Sequence, residues 1–391
     1  MSTLRIRFAP YVSDSGNAVV PLRIIDGKWR QLPGNLQLTL DRVLDVPVSP
    51  GSFTIQAFLP NGEVISEQVS VGSETTTEVS LEPVLASPRE DLAWGYLLKG
   101  ASRAAAMKEP PVKKQYGSVA LAIRGVPALE LWERSKNQRW AKSSLPTPIL
   151  EGSEKASFGV GKLSTMGRLV WLRVAWTSAN VKFVALPPSR NVRFNLFDDP
   201  PEVDDGDPIN VVVDSGNSRA ESILGYLRRG DFASARQVGA SFDAEKLLLE
   251  KVQDPASAAI GGYFLLQASE FGRLHDWTKN LSDWFDYFPD GPVIRGWHVL
   301  RSSSPDFQTA RKLFLEAMHR GLPVYTIGLR LLSDGLALCA SRAIENKLTD
   351  SDVENAQMTL APYVAAADWT SATTSFYGTR PNDPRALANH A

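Results

Sequence analysis

Two small antiparallel β-sandwich modules followed by an α-helical repeat domain are what this sequence predicts: a multi-domain β-plus-α chain. Three observations carry the prediction. Short runs of alternating apolar and polar residues, bounded by turn residues, fill positions 1–86 and return over 118–216. From about residue 217 the apolar spacing changes to a helical period and keeps it to about 377. Inside that stretch the pattern Asp-Phe-x-x-Ala-Arg occurs twice, at Asp231–Arg236 and at Asp306–Arg311.

In the first module (1–86), Leu4, Ile6 and Phe8 alternate with arginines as a half-buried strand requires. "LQLTL" (36–40) alternates in the same way. Residues 50–71 read as strand, turn and strand, with Pro60-Asn61-Gly62 at the turn because Asn-Gly tolerates positive φ. "TTEVSLEP" (76–83) adds a last strand. This layout over 46–83 resembles the carboxypeptidase-regulatory-like or PEGA-type β modules.

Residues 87–117 read as a capped helix and a basic linker. Ser87, Pro88 and Glu90 form a capping box, and "KEPPVKKQYG" (108–117) has no period. The second β module (118–216) holds "RLVWLRVAW" (168–176), "VKFVAL" (181–186), "VRFNLF" (192–197) and "INVVVD" (209–214), rich in β-branched and aromatic residues. An acidic proline-rich loop (198–208) separates the last two. Residues 378–391 are expected to be a disordered tail.

In the helical region (217–377), Gly230 or Pro305 ends one helix and Asp231 or Asp306 caps the next. Phe and the Ala three residues on share a helix face suited to packing between helices. "ASEFGRLHDW" (268–277) is a degenerate third copy, so Phe232, Phe271 and Phe307 stand 39 and 36 residues apart. That spacing is close to that of helical-hairpin repeats. "LGYLRRGDFASA" resembles the tetratricopeptide consensus around its inter-helix turn. The glycine spacing is shorter than in that consensus, and later copies lose Leu-Gly. Such a tetratricopeptide-like domain implies a protein-binding surface.

Composition bounds the function classes. The chain has 391 residues, 43% apolar and 22% charged, with a formal net charge of -1. That length allows two or three domains, and that charge offers no basic field for nucleic acid. One cysteine, Cys339, excludes a disulfide framework and a four-cysteine zinc site, and suits the cytoplasm. No apolar run approaches a membrane span.

Candidate chemistry is weak, so no enzyme and no cofactor or metal is expected. Cys339 with His319 or His298 would form a peptidase dyad, but it sits in the apolar helical stretch "DGLALCASRAI" and reads as a structural cysteine. "GVGKLST" (159–165) lacks the first glycine and the Ser/Thr of a phosphate-binding loop, and strands flank it. His275 beside Asp276 lacks a second histidine at ligand spacing, and the acidic loop does not follow the EF-hand order.

Residues 258–336 resemble uncharacterised bacterial proteins with an N-terminal β region and a C-terminal helical region, associated with loci of caspase-like or CHAT peptidases in antiviral defence or programmed death. The resemblance carries no catalytic motif. It implies a partner or a cleavable substrate of such a peptidase. The expected function is therefore a non-enzymatic protein-binding scaffold or adaptor. Arg236, Arg311, Trp277 and Trp297 are its candidate partner-binding residues. Arg103, Lys108, Lys113 and Lys114 mark a candidate cleavage linker, where exposed flexible chain invites proteolysis. The alternative is a module that binds a peptide or carbohydrate on exposed rings of the second β module, Trp132, Trp140 and Trp171.

Overall fold

The computed structural model describes residues 2–8, 19–39, 42–60, 64–82, 128–135, 138–143, 157–159, 163–175, 181–190, 192–197, 210–241, 244–345 and 349–385. The helix of 87–107, the basic linker with its four cations, the strand of 118–125 and the acidic loop lie outside them. Among the described residues there are β sheets in the N-terminal part and nine α-helices in the C-terminal region. No helix among them is long and apolar enough to cross a membrane. The chain divides into two units, Met1–Gln115 with Asn217–Asp243, and Tyr116–Gly216 with Ala244–Ala391.

Among its described residues the first unit holds seven strands: β1 (Ser2–Phe8), β2 (Val19–Asp26), β3 (Gln37–Thr39), β4 (Leu44–Val48), β5 (Gly51–Phe58), β6 (Val64–Val71) and β7 (Thr76–Leu81). They form two sheets, ordered β4-β1-β7 and β3-β2-β5-β6. Leu4, Ile6 and Phe8 are buried, as their alternation requires. Arg5 faces outward and pairs with Asp45, directly opposite it in the register, at 2.9 Å. The module is not purely antiparallel: β1 and β7 pair in parallel, Leu4 against Thr77 and Ile6 against Val79. They come from opposite ends of the module, so no hairpin forces them antiparallel. Strands β2 and β4 carry weaker alternation than β1 and are additions to the sequence reading.

Two helices, α1 (Ser218–Arg229) and α2 (Phe232–Ser241), also belong to this unit. Asn217 caps α1, and Gly230 ends it at φ 73° with amide bonds to Leu227 and Tyr226 carbonyls. The Tyr226 hydroxyl donates to the Phe58 carbonyl at 2.8 Å, and Gln237 Nε2 donates to the Leu36 carbonyl at 2.6 Å. These bonds fix the first repeat copy on the N-terminal sheets. The sequence predicts one helical domain over 217–377; here its first hairpin, α1 and α2, groups with the N-terminal strands.

The second unit holds β8 (Ala128–Arg134), β9 (Trp140–Ser143), β10 (Ser157–Gly159), β11 (Leu169–Ala175), β12 (Val181–Leu186), β13 (Arg193–Phe197), β14 (Asn210–Asp214), β15 (Ser375–Arg380) and β16 (Asp383–Pro384). A six-stranded sheet runs β16-β15-β12-β11-β8-β9, and a three-stranded one runs β10-β13-β14. Leu172, Val174, Val184 and Leu186 of the larger sheet share a core with Phe194, Val211 and Val213 of the smaller. Phe183 pairs with Phe376 and Lys182 with Tyr377, both aromatics of β15 are buried, and within the tail Gly378 pairs with Pro384 and Arg380 with Asp383. Short chain-end strands without strong alternation carry little local signal, and pairing with β12 supplies the order.

Among its described residues the second unit also holds seven α-helices: α3 (Ala244–Leu249), α4 (Pro255–Gln267), α5 (Trp277–Trp284), α6 (Asp290–Leu300), α7 (Phe307–Arg320), α8 (Thr326–Glu345) and α9 (Ser351–Ala366). Asp254 caps α4 with Pro255 at its first position, and α4 is buried all round from Pro255 to Leu266. Tyr363 of α9 stands edge-on to Phe376, at 5.2 Å between ring centres. Helical side chains thus reach the aromatic face of the six-stranded sheet, where Trp171, Phe183 and Phe376 stack.

Candidate functional site

The capping half of the repeated motif holds at both full copies. Asp231 Oδ1 accepts from the Ser234 amide and Asp306 Oδ1 from the Thr309 amide, each at 3.0 Å. Ala235 and Ala310 are fully buried, but Phe232 is 43% exposed and so does not pack between helices as expected. The middle copy departs further: Phe271 opens a three-residue 3-10 turn (Phe271–Arg273) in place of an α-helix.

The two motif arginines have different fates. Arg236 is exposed on α2. Arg311 is half-buried and grips its own chain. Its Nη2 donates to Asp350 Oδ1 at 2.6 Å and to Asp352 Oδ2 at 2.9 Å, and its Nε donates to Asp350 Oδ2. Asp350 caps α9, and the Arg311 guanidinium holds its carboxyl below the usual carboxylate range. The sequence reading makes Arg311 a partner-binding candidate; here its fork clamps an intrachain carboxylate. Arg311→Lys keeps the charge but loses the fork. It is expected to cost about 1–2 kcal/mol in denaturant unfolding, and an unchanged midpoint would refute the clamp.

Trp277 and Trp297 each precede one member of a contact between α5 and α6: Thr278 Oγ1 and His298 Nδ1 lie 3.0 Å apart. His298 also bonds to the Phe271 backbone, and burial pulls its imidazole below the usual range, against a raising effect of Asp276. Trp297 is half-buried, and its Nε1 donates to the Leu331 carbonyl at 2.8 Å, which fixes the indole. The exposed Arg301 guanidinium lies 4.9 Å over that indole and 5.7 Å over the Phe271 ring. His275 meets Trp277 edge-on at 4.8 Å.

The backbone that forms this surface is strained. Ser269 at φ 60° closes α4 in a Schellman arrangement, with amide bonds Ser269 to Leu266 and Glu270 to Leu265, where glycine is usual. His275 adopts φ 44° six residues on. Left-handed non-glycine residues cost about 1 kcal/mol or more each and concentrate at functional sites. What results is a patch of half-exposed rings and one stacked cation, with exposed His275 and Asp276 on its rim. Its composition suits protein contact: tryptophan and arginine dominate binding hot spots. Sequence reasoning named Phe271 only as a repeat position and missed Arg301. The signal was the aromatic spacing around "SEFGRLHDW".

The other candidates resolve structurally. Cys339 is buried beside the Arg311–Asp350 pair, and burial raises its thiol pKa. In "GVGKLST", Leu163 bridges Val192, and the Thr165 hydroxyl donates to the Pro187 carbonyl at 2.5 Å, so strand pairing occupies the segment. Of the three tryptophans of the alternative reading, Trp171 is 1% exposed and packs on Phe376, while Trp132 and Trp140 are half-exposed. Among the described residues no group of His, Cys, Asp or Glu is arranged to hold a metal ion.

Fold and surface together define a β-plus-α chain with a helical C-terminal region. Its residues 222–390 match the family model described as the Y4kD C-terminal domain, an uncharacterised bacterial-type family. The matched segment runs from α1 through β15 and β16 and includes the whole Trp277–Trp297 surface. Nothing in that match ties the chain to caspase-like peptidases. Comparison with curated proteins and with solved structures returns no match.

Proposed function

We propose that the chain is a non-enzymatic adaptor that binds a protein partner through the Trp277–Trp297–Arg301 surface. The observation that carries this is the stacking of the exposed Arg301 cation on Trp297 and Phe271, beside two left-handed non-glycine residues. Within the same reading, each unit's sheets are β-sandwiches. The α6–α7 pair, in close contact where Gly296 meets Phe314, is a tetratricopeptide-like hairpin. Co-purification with mass spectrometry from cells carrying the gene, using the full chain against Arg301→Glu and Trp277→Ala, tests the proposal. A partner recovered in stoichiometric yield and lost at least ~10-fold with both variants is expected, as for a hot-spot residue. Equal recovery with all three proteins would overturn it. The recovered set is read first for a caspase-like peptidase, the partner that the sequence resemblance implies.

A further inference from the structure

In the first unit the hairpin turn after β2 holds Trp29 in solvent at a backbone angle unsuited to it. Its φ is 63° and its side chain is 84% exposed. The turn is tightly specified. The Trp29 amide donates to the Asp26 carbonyl and the Asp26 amide to the Arg30 carbonyl, both at 2.9 Å. The Asp26 carboxylate accepts from the Lys28 and Arg30 amides at 2.9 Å and from Arg30 Nε at 3.0 Å. Glycine or asparagine is what a left-handed turn position favours. A tryptophan there gains no burial that would offset the strain, so packing does not explain it.

Beside the turn lies a cavity of about 280 Å³, at the small end of the range for ligand pockets. It is lined by Trp29 and by Ser52, Thr54, Gln68 and Ser70 from the outer face of β5 and β6. The register sets Thr54 against Gln68 and Ser52 against Ser70, so the four side chains form two adjacent pairs on one face. Hydroxyls and carboxamides both donate and accept, which matches a ligand whose own groups do both. The one carboxylate in the lining, Asp26, is engaged by Arg30.

We infer that this cavity binds a carbohydrate, one pyranose ring stacking its C–H face on Trp29 while its hydroxyls meet Thr54, Gln68, Ser52 and Ser70. A single-stranded nucleic acid would also stack on the indole, but it requires a track of cations along its backbone. Here Asp26 offsets Arg30, and only Lys28 adds to it in the turn. A strand-like peptide would use a sheet edge, not this face. The site is independent of the adaptor surface.

The test is affinity electrophoresis of the full chain in gels cast with amylopectin, xylan, galactomannan, mixed-linkage β-glucan or hydroxyethyl cellulose. Fluorescence anisotropy with oligo(dT) and with poly-L-proline runs in parallel. Retardation by at least one polysaccharide is expected, weakened about 10- to 30-fold in Trp29→Gly, as for a hot-spot aromatic. Gln68→Leu should weaken it without changing thermal unfolding. Trp29→Gly relieves the strained turn, so its Tm should rise, which separates lost binding from lost folding. No retardation in any gel, or retardation equal in wild type and Trp29→Gly, would overturn the inference. Trp29-dependent binding to oligo(dT) or poly-L-proline alone would overturn it in favour of that ligand.

Discussion

Removing the carboxyl of Asp290 is expected to destabilise the second unit by about 3–5 kcal/mol, because it strands several buried donors at once. Asp290 opens α6 and is fully buried. It accepts from the Tyr263 hydroxyl at 2.7 Å, the Val324 amide at 2.7 Å and the Tyr325 amide at 3.3 Å. It thereby ties α4, α6 and the α7–α8 connection to one point. Asp290→Ala should show the full loss in denaturant unfolding near pH ~4 and a smaller one near pH ~7. Burial raises the carboxyl pKa to about 6, against the pull of the Val324, Tyr263 and Tyr325 bonds. A folded-state value above the unfolded 3.8 means the folded chain holds the proton more tightly. The contribution of Asp290 is therefore greatest below pH ~4 and is lost as pH rises through ~6, about 3 kcal/mol in all. Asp290→Asn can still accept from Val324 and face Tyr263, but it does not titrate. The stability difference between wild type and Asp290→Asn should shift by about 2–3 kcal/mol between pH 4 and 7. A pH-independent difference would refute the buried, titrating carboxyl.

What the sequence made legible was local. Asp231 and Asp306 cap helices because an N-cap bond reaches only two or three residues, so residue type and position suffice to predict it. Alternation marked β1, and β-branched and aromatic enrichment marked β11 and β12, for the same reason. Pairings between distant segments were not legible. The parallel β1–β7 pair and the β12–β15 pair join positions far apart, and no local pattern encodes them. Arg311 looked like a surface cation because its partner, Asp350, lies 39 residues away. At the candidate surface, Trp277 and Trp297 were visible as residues, but the contact of their neighbours Thr278 and His298 depends on how α5 packs on α6. Trp29 escaped notice because an exposed aromatic is informative only when its backbone angle is known. "IIDGKWRQL" does carry the Asp-Gly of a turn, with a tryptophan two residues on.

Phe314 is where the helical core is most tightly closed, and its truncation should have the other large effect. The ring is fully buried, between α6 and α8. A Cβ built on Gly296 would stand 2.7 Å from it, and one on Gly335 would stand 2.6 Å from it. Two helices therefore approach the same ring through residues that have no side chain, and neither approach survives a methyl group without movement. Phe314→Ala leaves a cavity and should cost about 3–5 kcal/mol. Gly335→Ala overpacks the same space and should cost about 1–3 kcal/mol. The two changes act on one volume in opposite senses, so they should not add. Gly335→Ala combined with Phe314→Leu should be more stable than the sum of the two single losses predicts, by about 1 kcal/mol. Strict additivity would mean that the ring and the glycine do not share the space. Trp297 packs on the same ring at 6.0 Å, so the core defect would also loosen the indole that Arg301 covers. The partner binding proposed for that surface should then fall in Phe314→Ala even where the chain still folds, because the stacked cation loses its fixed platform.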